Sequence, residues 1–247
     1  MYEAEKVMLA AQNNAAWCDV ILRAHGCQTN FQQHLWSSPD QAPRYYPNAI
    51  TLTGSDGVEQ QSVSLRHLLQ QARDLGRPFA IKDSFNTLDL ESAGCSRFFT
   101  ADWLYRSPRE ADIAPIPTDV HWTRLASVEA LMAWEQAWEQ IGGGPDNAGR
   151  LFPASLLTAP AVTVLAVLHR ERIVAGCIVY RSPAALGYTN MFLPDVDRAS
   201  FRTACVAAIA LLSPALPIVG YESGTDLDAM RACGFEATGS LQVWLSA

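Results

Sequence analysis

Lysine is nearly missing from this chain. Lys6 and Lys82 are the only two among 18 basic residues, so Schiff-base chemistry has two candidates and no more. There is no C-x-x-C pair, and no two of the five histidines stand at i, i+4. Those gaps exclude a dithiol redox motif and the common zinc spacings. The sequence has no Walker A loop, no G-x-G-x-x-G after a strand and no G-x-S-x-G elbow, which excludes the enzyme classes built on those motifs. Long apolar runs are absent as well. The longest, Ala159–Leu168 (broken by Pro160 and Thr163) and Ala204–Leu212, fall short of the roughly 20 residues of a membrane span. The N-terminus carries early acids and no basic-then-apolar leader, so it does not read as a signal peptide. The expectation is a cytoplasmic protein whose six cysteines are reduced thiols acting as small hydrophobes. Positive charge is also scarce. A net charge of −7 argues against a nucleic-acid binder, which needs a basic face, and against anionic membranes. It weakly favours a cationic or amine-bearing ligand.

What is present is a 247-residue chain, 49% hydrophobic, long enough for one large domain or two small ones. Apolar spacing predicts a helix over 3–17, with 18–24 either continuing it or starting a strand. A short strand at 49–53 follows, then a helix over 65–75 ending at Gly76 with Pro78 beyond, a good C-cap pattern. A strand at 79–82, a short helix at 88–93 stopped by Gly94, and a strand at 98–105 complete the first half. The second half opens with a helix over 127–141 for which Ser127 is the expected N-cap. A hairpin (162–168 and 173–180), a strand at 186–193 and an apolar helix over 199–212 come next. The chain ends with a strand at 218–221, a short helix at 227–233 and a strand at 241–245.

The two halves share an order of landmarks. Ser38-Pro39 answers Ser182-Pro183, Tyr46 and Asn48 answer Tyr188 and Asn190, and Asp83-Ser84 answers Glu222-Ser223. Leu88-Asp89, Gly94 and Trp103 answer Leu227-Asp228, Gly234 and Trp244. The spacing stays between 139 and 144 residues. This reads as one α/β unit present twice. The first copy, over 1–112, is shorter, with no clear counterpart of the 162–180 hairpin. The second covers 119–247, and a linker at about 107–118 carries Pro108, Pro115 and Pro117.

Three stretches of the second half carry a family resemblance: the hairpin VTVLAVLHRERIVAGCIVY with Ile173–Gly176, the pair LGYTNMFL and ASFRTACVAAIALL, and the ending PIVGYESGTDLDAMRACGF with Gly234-Phe235. Residues 119–247 resemble the GNAT family of acyl-CoA-dependent N-acyltransferases. The whole chain then looks like a tandem of two GNAT-like units, each a mixed twisted α/β sheet flanked by helices. The resemblance implies acetyl-CoA as donor and a small-molecule or peptide amine as acceptor. It implies a fourth and fifth strand that splay to admit the pantetheine arm, and a helix N-terminus that receives the pyrophosphate. Carried onto this sequence, backbone groups at Met191, Phe192 and Leu193 would hold pantetheine, and Arg198, Ser200 and Arg202 the phosphates.

Glu222 and Tyr188 are the catalytic candidates. Glu222 ends a strand beside the expected cleft and would take the amine proton; it would equally serve to cap the following helix, as its counterpart Asp83 suggests. Tyr188 and Asn190 share a strand face and either line a pocket or hold a neighbouring loop. The sequence departs from the family at two places. The phosphate loop, Asp195–Thr203, has no glycine, and Met230 stands where the family usually has its thiolate-protonating tyrosine. Two other readings therefore stand beside the enzyme: a non-catalytic binder of a small ligand or peptide, and a scaffold.

Overall fold

The computed structural model describes residues 1–108, 120–142 and 150–246. In chain order the first elements are α1 (Glu3–Ala24), β1 (Asn30–Phe31), β2 (Leu35–Ser37), β3 (Ala49–Thr51), α2 (Val58–Asp74), β4 (Phe79–Asp83) and β5 (Cys95–Arg106). They continue with β6 (Val120–Arg124), α3 (Val128–Gly142), β7 (Val162–His169), β8 (Arg172–Arg181) and β9 (Leu186–Phe192). Last come α4 (Arg198–Leu212), β10 (Ile218–Glu222), α5 (Gly224–Ala232) and β11 (Glu236–Ser246). Most of the expected proline linker, 109–119, lies outside the described residues.

Two compact units result. One comprises Met1–Leu104, Tyr221–Leu227 and Ala237–Ala247, the other Tyr105–Gly220 and Asp228–Glu236. The grouping follows contacts rather than chain order. β11, the last strand, pairs antiparallel with β4 from Gln242↔Asp83 to Ser246↔Phe79, and so counts with the first unit.

In the first unit the strand order is β1-β2-β3-β4-β11-β5. β3 and β4 are parallel, with pairs Ala49↔Ile81 and Ile50↔Lys82. Parallel neighbours need a long crossover, and α2 supplies it. Leu65, Leu69 and Ala72 line its buried side and meet Leu35, Ala49, Phe79, Ile81 and Trp244 of the sheet. Its end is the one expected. Gly76 takes φ +61°, and its N–H and that of Arg77 bond Arg73 O and Ala72 O, a left-handed cap that glycine adopts without penalty. Helix α1 takes up the undecided 18–24 segment, burying Cys18, Ile21 and Leu22.

The expected short helix at 88–93 does not form. The carboxylate of Asp83 accepts the Leu88 N–H at 2.8 Å and the Phe85 N–H at 3.3 Å. A tight turn at 91–94 closes through Gly94 N–H to Glu91 O, with Gly94 at φ +79°. The Ala93 N–H and Cys95 N–H both bond Leu90 O, so the helical-type bonding is confined to this single turn.

The second unit orders its strands β10-β9-β8-β7-β6. Here β9 and β10 are the parallel pair, with Leu186↔Ile218 and Gly187↔Val219, and α4 is the crossover. Both units therefore contain strand, helix, parallel strand, each with two paired residues per parallel ladder. Ser127 caps α3 as expected, its Oγ accepting the Ala130 N–H at 3.2 Å. Trp134 is fully buried. It donates to Leu165 O at 2.9 Å and stands edge-on to Phe152 and Phe192. Trp138, half-buried, meets Phe152 in the same way.

Candidate donor site

In the second unit β9 and β10 begin as a ladder and then part. Leu186 N–H bonds Pro217 O at 2.9 Å, two residue pairs follow, and no further pair joins the strands among the described residues. Two local features go with the separation. The ring of Tyr188 lies over Gly220, where a Cβ would sit 2.2 Å from the ring, so only glycine permits that approach. β9 also carries a bulge. Its register against β8 slips between Gly176↔Phe192 and Ile178↔Thr189, and Asn190 takes φ +52°. A bulge of this kind adds a residue to one strand and breaks the ladder locally. Beyond Gly187 no ladder pair joins β9 to β10 among the described residues.

The predicted site residues separate into those near this gap and those held elsewhere. Met191 and Leu193 pack into the cluster of Val167, Ala175 and Cys205, so only their backbone is available to a ligand. Phe192 turns to the other face, against Trp134. Arg198 opens α4 and donates to Leu193 O at 2.9 Å, bracing the loop that leaves β9. Ser200 is exposed in the first turn of α4. Arg202 points inward and is 5% exposed. Its charge lowers the thiol of Cys205, which burial nonetheless raises to about 12. Tyr188 is buried and edge-on to Phe235. Glu222 is half-buried at the end of β10 and belongs to the first unit, whereas Tyr188 belongs to the second. Met230 is wholly buried.

The N-terminus of α4 has the donors that every helix start has, but acidic surroundings. Asp197 is its N-cap residue, in a left-handed conformation (φ +55°), and Asp195 is exposed nearby. A diphosphate would rest on the first N–H groups of α4, with Ser200 and Arg198 beside them and Arg202 withdrawn.

The matching place in the first unit is closed. Ser84 N–H donates to Thr51 Oγ1 at 2.7 Å, and that hydroxyl donates to Asp83 Oδ1 at 3.4 Å, tying the ends of β3 and β4 together. The loop before α2 is filled from within. The buried Gln61 Nε2 donates to Thr53 O at 2.6 Å, Thr53 Oγ1 at 3.0 Å and His34 O at 3.3 Å. His34 Nδ1 lies 3.0 Å from Thr53 Oγ1. A Cβ on Gly57 would fall 2.0 Å from that hydroxyl. Asp83 is thus a structural carboxylate, bonded to loop N–H groups in place of the helix expected after it.

Other chemistries lack a seat. Burial raises the thiols of Cys18, Cys95 and Cys177, which disfavours the thiolate a nucleophile needs. Among the described residues no group of three His, Cys, Asp or Glu could hold a metal ion, and no helix is long and apolar enough to cross a membrane.

No protein-family model matches the chain, and no curated protein sequence matches it. Solved structures do. A GCN5-related N-acetyltransferase from Kribbella flavida is similar at TM-score 0.66 and 13% identity, over 96% of this chain and 95% of that one. One from Sphaerobacter thermophilus is similar at TM-score 0.61 and 9% identity, over 98% and 91%. A tandem GNAT protein from the clavulanic acid biosynthesis pathway is similar at TM-score 0.53 and 13% identity, over 75% and 69%. The chain has the α/β fold of the GNAT N-acetyltransferases, a mixed sheet flanked by helices. At such identities the likeness establishes fold and leaves function to the site.

Proposed function

We propose that the protein is a cytoplasmic acyl-CoA-dependent N-acyltransferase with its donor site in the second unit. The observation that carries this reading is the parting of β9 from β10 after two paired residues, beside the bulge at Asn190. Backbone groups of Met191–Leu193 would bind the pantetheine arm of acetyl-CoA. The N–H groups at the start of α4, with Ser200 and Arg198, would hold its phosphates. When bound, the thioester supplies an activated acyl group. Glu222 is the carboxylate that the sequence resemblance puts forward to take the proton of a small-molecule or peptide amine. Tyr188 supports the parting as a wedge on Gly220.

Calorimetric titration with acetyl-CoA, CoA and a phosphate-free pantetheine analogue tests the donor site. Micromolar binding of acetyl-CoA is expected; no binding up to about 1 mM, a free energy near −4 kcal/mol, sinks the reading. An amine screen then follows turnover, and Glu222→Gln should lower kcat by at least about a hundredfold if the carboxylate is the base.

One observation favours a second reading. Arg202 is buried and Met230 occupies the general-acid position as a core residue. A non-catalytic binder would have this arrangement, and it would bind pantetheine without turning over any amine in the screen.

A further inference from the structure

The first unit has a cavity of about 400 Å³ between α2 and the strands β1 and β2. Its origin is a truncation. In the second unit α4 covers a hairpin of eight and ten residues, β7 and β8, and packs on it through Phe201 and Cys205. The strands in the corresponding place of the first unit have two and three residues. Helix α2 therefore overhangs missing sheet. The side it presents there is Ser64, His67, Leu68 and Gln71, one face at helical spacing, polar where α4 is apolar.

No Asp, Glu, Lys or Arg lines the cavity. A phosphate or carboxylate would lose water there and meet no Lys or Arg, with His67 the one ionisable side chain on the lining. Four carboxamides do line it: Gln28, Asn30, Gln32 and Gln71, the amide nitrogen of Gln71 lying 2.9 Å from His67 Nε2. A carboxamide carries both a donor and an acceptor, which is what a hydroxyl or a ring amide needs. Leu35 and Leu68 supply an apolar floor for the C–H face of a ring. The volume lies within the range of small-molecule sites.

We infer that this cavity is a binding site for a neutral ring with hydroxyl or amide edges, of monosaccharide or nucleoside size. It is separate from the donor site and does not depend on acyl transfer.

Amide-resolved NMR titration of the full chain tests it. The neutral probes are glucose, N-acetylglucosamine, adenosine and uridine; the charged counterparts are glucose 6-phosphate and AMP. At least one neutral probe should give saturable shifts confined to residues 28–39 and 64–71, with a millimolar Kd, and its charged counterpart should bind at least about tenfold more weakly. Sugars and nucleosides are told apart by which pair responds. Ser64→Trp, which fills the cavity from the half-buried helix face, should abolish the shifts. Gln71→Ala, at an exposed position, should weaken binding by about three- to tenfold, one hydrogen bond's worth. The inference is overturned if no neutral probe saturates by about 50 mM, if charged probes bind as well, or if both variants bind like the parent chain.

Discussion

Replacing Thr51 by valine isolates the tie that closes the first parallel pair. Thr51, Asp83 and Ser84 are all wholly buried. Valine has nearly the shape of threonine, so no cavity opens and the loss is the hydroxyl alone. Ser84 N–H then loses an acceptor at 2.7 Å. A buried unsatisfied donor costs about 1–3 kcal/mol. The 3.4 Å bond to Asp83 is long and adds about 0.5 kcal/mol at most. The sum is about 1–3.5 kcal/mol, which for a chain of this size lowers Tm by roughly 2–14 °C. Urea unfolding followed by tryptophan fluorescence gives the shift in midpoint. Thr51→Ser is the control, because it keeps the hydroxyl and deletes one buried methyl, about 1 kcal/mol. The valine variant should be the weaker of the two. If it matches the parent chain within about 0.5 kcal/mol, or if serine is worse, the tie does not hold the strand ends and the closed first site needs another cause.

Other perturbations read different parts of the fold. A Cβ at Gly176 would lie 2.4 Å from Trp134 Nε1 and 2.5 Å from Leu165 O, the two ends of one hydrogen bond. Gly176→Ala should therefore cost about 3 kcal/mol, read as a lowered urea midpoint. Tyr188→Phe keeps the wedge on Gly220, so acetyl-CoA affinity should stay within about threefold of the parent and kcat should hold; a fall in kcat like that expected of Glu222→Gln would make the phenol a participant. Burial raises the carboxyls of Asp83 and Glu135, although backbone N–H groups of Leu88 and Leu151 oppose the shift. A folded-state pKa above the unfolded one means that the folded chain takes the proton first. That contribution is fully present below the unfolded value, near pH 4, and is lost as pH rises through the folded one. Stability from these two groups should therefore rise as pH falls from about 7 toward 4, and Glu135→Gln should flatten the rise.

Much of the architecture was legible because it rests on local chemistry. Gly76 ends α2, Ser127 starts α3, and the 162–180 hairpin follows its alternating apolar pattern, since each depends on residues a few positions apart. The misread segment, 88–93, keeps only the turn at 91–94, and its start at Leu88 is held by Asp83, five residues earlier and bonded to Thr51 on another strand. The short strands β1 and β2 and the strand β6 carry too few residues for a periodicity to register. Glu222 and Asp83 looked like equals in sequence. The structure shows Asp83 accepting the backbone N–H groups of Phe85 and Leu88, while Glu222 ends β10 half-buried.

By itself the sequence determined the α/β class, the repeated strand–helix–strand order and the likeness to GNAT proteins, because helical and strand periods and turn residues act over short range. Only the tertiary structure told the two parallel pairs apart. Both copies keep a parallel pair of two residues, and the difference lies in one hydroxyl bridging to a carboxylate in the first and a bulge with a ring over glycine in the second. Those contacts join residues about 30 positions apart, across a helix, and no local pattern records which pairs of side chains the crossover will bring face to face.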